Sequence, residues 1–281
     1  MKISVIISLA GNRAGLFKRS LDAWLNQTLP KSEWEMIVVD DANRLGCQKL
    51  CRRYARKGIQ MRFLRVDRSR SLMPVRGFVP ALTINAGIKA AQGRVLMITG
   101  PEVIHGRGNL SAAAEADGAR YGMVAHAGRI ATGYLAKGWS SLQHKPIRHL
   151  AQLPTVRLHK AKLPNRWSCA VVLKNDAERI GGVDERFLGG DGVDDADFAG
   201  RLHMAGVEML CDTRIVCLHQ DHSMDDARDP SRQIDPDERQ KLRDHNFTLL
   251  KDALDRNDPV ANKSEPWGAL GVPVTLEEQS E

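Results

Sequence analysis

Three carboxylates stand at positions where a folded chain could use them for chemistry: Asp41, Glu102 and Asp195. Asp41 and Glu102 each lie just beyond a run of apolar residues that is typical of a buried strand. A carboxylate in such a place can accept a hydrogen bond from a nucleotide base or bind a divalent cation. Asp195 begins a predicted helix after a glycine-rich loop, where a fixed carboxylate could accept the proton of a hydroxyl group.

The two aspartates also have a purely structural interpretation. Asp40 and Asp41 precede a predicted helix, and Asp is a favoured N-cap, so we expect one of them to cap the helix and the other to bind a ligand. Asp194 and Asp195 could serve only to stabilise the positive end of a helix dipole. The surrounding sequence, GGVDERF and ADFAGRL, is not explained by capping alone and favours a catalytic role for Asp195.

Strand and helix patterns alternate along the first hundred residues and would position these acids. The predicted strands cover residues 3–8, 34–39, 61–66 and 95–98, and the predicted helices cover 16–26, 45–56 and 82–91. This alternation predicts a parallel sheet with helices on both faces. Ligands on such a sheet bind beyond the carboxyl ends of the strands, where the polar and glycine residues of this chain collect.

The rest of the chain is less regular. The pattern of residues 106–165 supports no chemical assignment. Further strands are predicted at 169–173 and 209–218, and a helical tract is predicted at 235–254. Roughly the last 25 residues carry proline, glycine and acids, which predicts a loose tail.

The charge of the 281-residue chain, +7 in total, is unevenly distributed. Residues 1–110 hold 19 Lys and Arg against 7 Asp and Glu, a balance of +12, and the remainder has a balance of −5. A basic half indicates an anionic partner, such as nucleotide phosphates, a nucleic acid or an acidic membrane surface. The alternative is that much of this charge is a solvated helix face, as in CRRYARK at 51–57.

Cysteine usage and apolar runs indicate the compartment. Five cysteines, an odd number without a CxxC pair, are typical of a cytoplasmic protein with reduced thiols. No run of 18 apolar residues is present, which predicts that no transmembrane helix forms. The N-terminal apolar run predicts a first strand, because a signal peptide needs a longer apolar region and a cleavage site.

Three segments, taken in order, resemble the family 2 glycosyltransferases, which have the GT-A fold. SVIISLAGNRAGLFKRSLDAWLNQTLPKSEWEMIVVDDAN is similar to the family's opening strand, first helix and VDD turn. INAGIKAAQGRVLMITGPE is similar to its helix, glycine and metal strand, and GGVDERFLGGDGVDDADFAGRLHMAG to its acceptor-side loop and catalytic-base helix. The order and spacing of the three together make the resemblance specific.

The resemblance implies an α/β fold with a mostly parallel central sheet flanked by helices and an acceptor-side C-terminal portion. Residues 1–105 would be the nucleotide-sugar-binding half. Residues 106–222 would be the acceptor-side and catalytic half of the same domain, and 223–281 a C-terminal helix and loose tail. The implied activity is a hexosyltransferase-like transfer from a nucleoside diphosphate sugar.

The resemblance also assigns residues to the nucleotide and to catalysis. Asp41 would contact a uracil-like base, and Ser8 would line the same pocket. Arg76 would face the nucleotide, with Arg68 and Arg70 as competing candidates. Asp195 matches the general base of inverting members, in a pattern of an acidic pair, a spacer, another acid, and an arginine four residues later.

The metal strand departs from the family pattern. Most members carry Asp-x-Asp where this sequence has Thr-Gly-Pro-Glu, so Glu102 stands alone at the position of the metal-binding acid. His219 is the preferred second ligand for Mn²⁺ or Mg²⁺, with His222 and His105 as rivals and a structural histidine as the equal alternative. The missing acid puts strict metal dependence in doubt, although the diphosphate itself supplies ligands in such sites.

These observations predict an inverting, cytoplasmic glycosyltransferase that uses a UDP-linked sugar and acts on a carbohydrate or glycan acceptor. Three other possibilities stay open. The broken Asp-x-Asp would suit a protein that binds a nucleotide or sugar without chemistry. The basic half would suit an acceptor base in DNA or peripheral contact with an anionic membrane.

Overall fold

The computed structural model describes residues 1–10, 13–41, 45–67, 69, 78–126, 168–188, 193–220, 235–264, 266–269, 271–274 and 276. The strands in this part of the chain are β1 (Ile3–Leu9), β2 (Trp34–Asp40), β3 (Met61–Val66), β4 (Val95–Thr99), β5 (Val103–His105), β6 (Ala119–His126), β7 (Ala170–Leu173), β8 (Met209–His219) and β9 (Gly271–Val274). The α-helices are α1 (Ala14–Trp24), α2 (Leu45–Ala55), α3 (Pro80–Ala90), α4 (Asn109–Ala114), α5 (Lys174–Arg179), α6 (Asp194–Met204) and α7 (Pro236–Asp255).

The strands form one sheet with the order β5-β8-β6-β7-β4-β1-β2-β3-β9. Its central strands β3, β2, β1 and β4 are parallel, which confirms the alternating strand and helix pattern predicted for the first hundred residues. β7 adds antiparallel to β4, and β8 pairs parallel with β6 and antiparallel with β5. The carboxyl ends of the parallel strands therefore meet along one edge, as the expected site requires.

Helices cover both faces of the sheet. Apolar residues of α1, α2 and α4 pack on one face, and those of α3, α5 and α6 pack on the other. Because both faces are covered, β1, β2 and β4 are buried along almost their whole length, which explains their continuous apolar sequences. Among the described residues no helix combines the length and the apolar character that crossing a bilayer requires.

Three strands were not predicted: β5, β6 and β9. β5 has only three residues, too few for a periodic pattern. Arg120 and Gly122 interrupt the apolar pattern of β6, so the sequence does not reveal this strand. In the folded chain, Arg120 pairs with Asp212 of β8 at 3.1 Å. β9 corrects the expectation of a loose tail, because it pairs antiparallel with β3. An edge strand tolerates a proline such as Pro273 and needs little burial, so its sequence resembles that of a tail.

Candidate active site

The structure brings Glu102 and His219 together, although they are far apart in the sequence. Glu102 lies in the turn between β4 and β5, and His219 is the last residue of β8. Oε1 of Glu102 lies 3.5 Å from Nε2 of His219, and the side chains are 16% and 19% exposed. A carboxylate and an imidazole at this distance, partly open to solvent, could bind one divalent cation.

Strand pairing produces this contact. β5 runs antiparallel to β8, with Val103 opposite His219. The next residue, Gln220, is fully buried and extends the pairing, since its backbone N–H donates to the Glu102 carbonyl at 3.1 Å. Its side-chain Nε2 donates to the same carbonyl and to the Leu16 carbonyl, each at 3.0 Å. Gln220 therefore fixes the backbone of Glu102 against both β8 and α1.

Two residues that sequence reasoning missed set the position of the Glu102 carboxylate. Arg13, just before α1, is buried and places Nη1 3.1 Å from Oε2 of Glu102. Gly100 lies under the carboxylate, because a Cβ there would come within 2.8 Å of Oε1 of Glu102. The available signal for Arg13 was its place in a polar, glycine-containing segment after the first strand. The buried guanidinium of Arg13 therefore lies beside the Glu102 carboxylate.

The residues assigned to the base pocket lie at the carboxyl ends of β1 and β2. Ser8 Oγ is 2.5 Å from Thr83 Oγ1 of α3. Because the Thr83 hydroxyl donates to the Pro80 carbonyl, Ser8 donates to Thr83 and its own oxygen can accept from a ligand. Asp41 is buried, and its backbone N–H donates to the Leu9 carbonyl at 3.1 Å. Both residues are held at the edge where a ligand is expected.

Asp195 lies in the first turn of α6. Burial raises the pKa of the Tyr121 hydroxyl, and the charge of Asp195 adds to that rise, which places the carboxylate near this phenol. Tyr121 pairs with Ala170 of β7, and Ala170 pairs with Ile98 of β4. Two strand spacings, roughly 10 Å, thus separate the backbone of Tyr121 from the strand that leads to Glu102.

The other charged residues of the α6 motif have a structural role. Arg201 is fully buried, and it donates to Asp197 at 2.7 Å, to Asp184 at 3.2 Å and to the Asp258 carbonyl at 3.0 Å. Burial raises the pKa of Asp197 to about 6, and the hydrogen bond from Arg201 opposes that rise. This network ties α6 to the loop before it and to the chain after α7, and so fixes the helix that carries Asp195.

Asn85 of α3 connects that loop to the N-terminal part of the chain. Its Nδ2 donates to the Val183 carbonyl at 2.8 Å and to Oε1 of Glu185 at 2.9 Å, and its Oδ1 accepts from the Val183 N–H at 2.8 Å. Gly182 has φ +72°, and a Cβ there would lie 2.5 Å from Oδ1 of Asn85. The asparagine and the glycine therefore fit each other closely.

Replacing this asparagine tests the connection. We expect Asn85→Ala to lower the free energy of unfolding by about 1–3 kcal/mol, because the buried N–H of Val183 loses its acceptor, whereas the Val183 carbonyl keeps its bond from Asn262 at 2.7 Å. Urea unfolding followed by circular dichroism measures the loss. Asn26→Ala, which removes an exposed bond to the Asp22 carbonyl, is the matched control. Equal losses in the two variants would contradict the role of Asn85.

Some predicted residues lie outside the described part of the chain. These are Arg76 with its competitors Arg68 and Arg70, the histidine at 222, and the residues between Asp41 and α2 that decide which aspartate caps that helix.

His105, the other rival ligand, is fully buried. Its ring nitrogens contact Thr99, Asn109 and Cys217. Among the ligands considered from sequence, the structure therefore brings His219 to Glu102, and it gives His105 a separate environment.

Comparison with known proteins identifies a family for this chain. Residues 4–144, half of the chain, match the model of the family described as Glycosyl transferase family 2. No curated protein matches the chain at a significant level.

Solved structures show the same fold. The mannosyltransferase PcManGT from Pyrobaculum calidifontis, in complex with GDP-Man and Mn²⁺, has a TM-score of 0.54 and 21% identity over 77% of this chain and 56% of its own. S. aureus TarS 1-349 in complex with UDP-GlcNAc has a TM-score of 0.56 and 14% identity over 89% of this chain and 65% of its own. The chain therefore spans less than two thirds of the length of either protein.

Sheet order, the polar residues at the strand ends and the family match lead to one assignment. The chain belongs to glycosyl transferase family 2 and has the GT-A fold.

Proposed function

We propose that this protein is an inverting glycosyltransferase that moves a sugar from a UDP-linked donor to a hydroxyl of a carbohydrate or glycan acceptor. The observation that carries the proposal is the 3.5 Å approach of Glu102 to His219, beside Arg13 and just past the carboxyl end of β4. Residues 1–105 would bind the donor, 106–222 would present the acceptor and the base, and 223–281 would complete the domain.

The residues present fit a divalent cation. Two ligand atoms bound to one Mg²⁺ at its usual distance lie roughly 3 to 4 Å apart, and the Glu102 and His219 atoms are 3.5 Å apart. Glu102 and His219 would hold Mn²⁺ or Mg²⁺, which when bound would stabilise the negative charge of the departing diphosphate. The donor's phosphate oxygens and water would supply the other ligands, so a single protein carboxylate suffices.

Arg13 would share with the metal the stabilisation of the diphosphate charge. Its guanidinium lies 3.1 Å from Glu102 and is buried, so its charge is weakly screened. A guanidinium suits phosphate oxygens as well as a carboxylate. We infer that Arg13 orients Glu102 and lies close enough to contact the donor diphosphate.

Asp195 would perform the proton transfer. Its carboxylate takes the proton of the acceptor hydroxyl, the hydroxyl oxygen bonds to the anomeric carbon, and the bond from that carbon to the diphosphate breaks. Attack from the face opposite the leaving group inverts the anomeric carbon. Tyr121 lies near this carboxylate, and Ser8 and Asp41 would hold the uracil base at the other end of the donor.

Donor binding tests the metal contact. We expect UDP to raise the melting temperature of the wild type more with Mn²⁺ than with EDTA, since a ligand stabilises the folded state that binds it. Glu102→Gln should need at least about tenfold more Mn²⁺ to reach the same rise in melting temperature. A weakened metal contact typically costs about this factor in metal affinity. A thermal-shift titration measures both, and Glu178→Gln, an exposed acid of α5, is the matched control.

The outcomes separate the proposals. Equal Mn²⁺ dependence in Glu102→Gln and the wild type would remove Glu102 from the metal site. A stronger response to GDP-mannose than to UDP-sugars would contradict the choice of nucleotide. Tight UDP-sugar binding with no release of UDP in the presence of any glycan acceptor would favour a binding protein over a transferase.

A further inference from the structure

A second group of metal-binding side chains lies in the core, apart from the proposed donor site. Within the described part of the chain, His105, Cys169 and Cys217 form the one cluster of three or more potential ligands, with their ligand atoms all within 4.8 Å of one another. The three residues are at most 1% exposed. They come from β5, from the residue before β7, and from β8, so the cluster joins three separate segments.

The hydrogen bonds of His105 fix its tautomer. The Thr99 hydroxyl donates its single proton to the Ser168 carbonyl at 2.7 Å, so it can only accept from Nε2 of His105, 3.0 Å away. Nε2 therefore carries a proton, and Nδ1 of a neutral ring presents a lone pair. Nδ1 lies 3.3 Å from Sγ of Cys217. A metal-binding histidine typically donates its other ring N–H in this way.

Asn109 supplies an outer contact to the same cluster. Its Oδ1 accepts from the Val216 N–H at 3.0 Å, which fixes the amide orientation. One proton of Nδ2 is used by the Val216 carbonyl at 3.0 Å. The other is directed to both Nδ1 of His105, at 3.1 Å, and Sγ of Cys217, at 3.4 Å. When a metal takes the Nδ1 lone pair, this proton can stabilise the Cys217 thiolate.

The surroundings leave room for the thiols and hold the ring still. Gly122 of β6 faces the cluster, and a Cβ there would lie 3.0 Å from Sγ of Cys169. The Trp24 ring packs on His105 with centroids 4.3 Å apart. Tetrahedral ligands of zinc lie roughly 3.3 to 3.8 Å apart, so closing the cluster around an ion requires shifts of about 1 Å.

We propose that His105, Cys169 and Cys217 bind a soft metal ion, Zn²⁺ or Cu⁺, as a structural centre distinct from the Mn²⁺ or Mg²⁺ site of the donor. Two thiolates and a neutral imidazole select such ions over Mn²⁺ and Mg²⁺, which prefer oxygen ligands. With Zn²⁺ the two thiolate charges cancel the ion's charge, so a neutral complex is buried. Binding releases the thiol protons to solvent and couples the metal to folding.

The position of the proposed metal centre indicates a structural role. His105 pairs with Cys217 across β5 and β8, and the same strand pair brings Val103 opposite His219. Cys169 follows Ser168, whose carbonyl accepts from Thr99 at the end of β4. A metal here would hold together the strand ends that carry the donor site without contacting the donor itself.

Metal analysis of the full chain tests the proposal. The protein is expressed with added Zn²⁺, purified without metal-chelate chromatography, and analysed by mass spectrometry for zinc and copper. We expect about one equivalent of one of these metals per chain in the wild type and in Glu102→Gln. A Cys169→Ser, Cys217→Ser double variant should retain less than about a tenth of it. The matched control is a Cys47→Ser, Cys51→Ser double variant, which alters two other buried cysteines.

A second measurement does not depend on whether the variants fold. Wild type refolded with Cd²⁺ should show the ultraviolet charge-transfer absorption of cadmium thiolates, which carboxylate or imidazole ligands do not produce. Metal-free wild type together with no cadmium band would overturn the proposal. So would equal metal content in both double variants, or a Cys169–Cys217 disulfide in unreduced peptides. Loss of the zinc or copper in Glu102→Gln would show that this metal depends on Glu102 of the donor site, and it would contradict a separate metal centre.

Discussion

Asp195→Asn should lower the rate of sugar transfer by about 10²- to 10⁴-fold while UDP binding stays close to that of the wild type, because a positioned general base contributes about this factor. The asparagine keeps the size of the side chain and its place in the first turn of α6, but it cannot accept the hydroxyl proton. The measurement is UDP release from a UDP-sugar with saturating acceptor, together with a thermal-shift assay of UDP binding.

The adjacent acid provides the control. Asp194 lies in the same first turn, so Asp194→Asn removes the same charge from the same helix end. If the acids served only the helix dipole, the two variants would behave alike. If Asp195 is the base, its replacement alone should cause this large loss of rate, and Asp194→Asn should stay near the wild-type rate. Wild-type transfer by Asp195→Asn would show that another group takes the proton.

The sequence singled out Glu102 and His219 as candidate metal ligands because both lie at strand ends. Glu102 follows β4, and His219 ends β8, so each position could be read from where an apolar run stops. Their contact could not be read that way, since it depends on β8 pairing antiparallel with β5, a strand of three residues that no periodicity reveals. The short strand β5 is therefore the element that brings Glu102 and His219 together.

The residues that support the site were missed for a different reason. Arg13 and Gln220 act through contacts with residues distant in the sequence, and their types carry no local signal. An arginine after a strand is common on protein surfaces, and only its burial beside Glu102 marks Arg13 as part of the site. Arg201 was recognised as part of a motif, yet its structural partners were visible only in the folded chain.

Arg201→Met should have the largest effect on stability among the substitutions considered, a loss of about 3–5 kcal/mol in the free energy of unfolding at neutral pH. The arginine is fully buried between Asp184 and Asp197, and methionine fills its volume without its charge. Removing the cation leaves the buried carboxylate of Asp197 without its arginine, while Asp184 keeps its ion pair with Arg186 at 2.6 Å. An uncompensated buried charge costs more than the pair itself contributes. Urea unfolding of the purified variant measures the loss.

The pH dependence identifies the cause. The pKa of Asp197 is about 6 in the folded protein, above its ordinary value, so the folded state binds more protons than the unfolded state between the two values. Stability therefore falls as pH rises through this window. Without Arg201 the charged carboxylate is less favourable still, and the difference between variant and wild type should be smaller at pH 5 than at pH 8.

A surface ion pair is the control for this experiment. Lys18→Met breaks the pair of Lys18 with Asp22 on α1, where both side chains are about a third or more exposed. Its cost should stay below about 1 kcal/mol and change little between pH 5 and pH 8. A loss in Arg201→Met no larger than this would show that the buried network is not what holds α6 in place. Asp195 would then depend for its position on the apolar contacts of Phe198 and Leu202 instead.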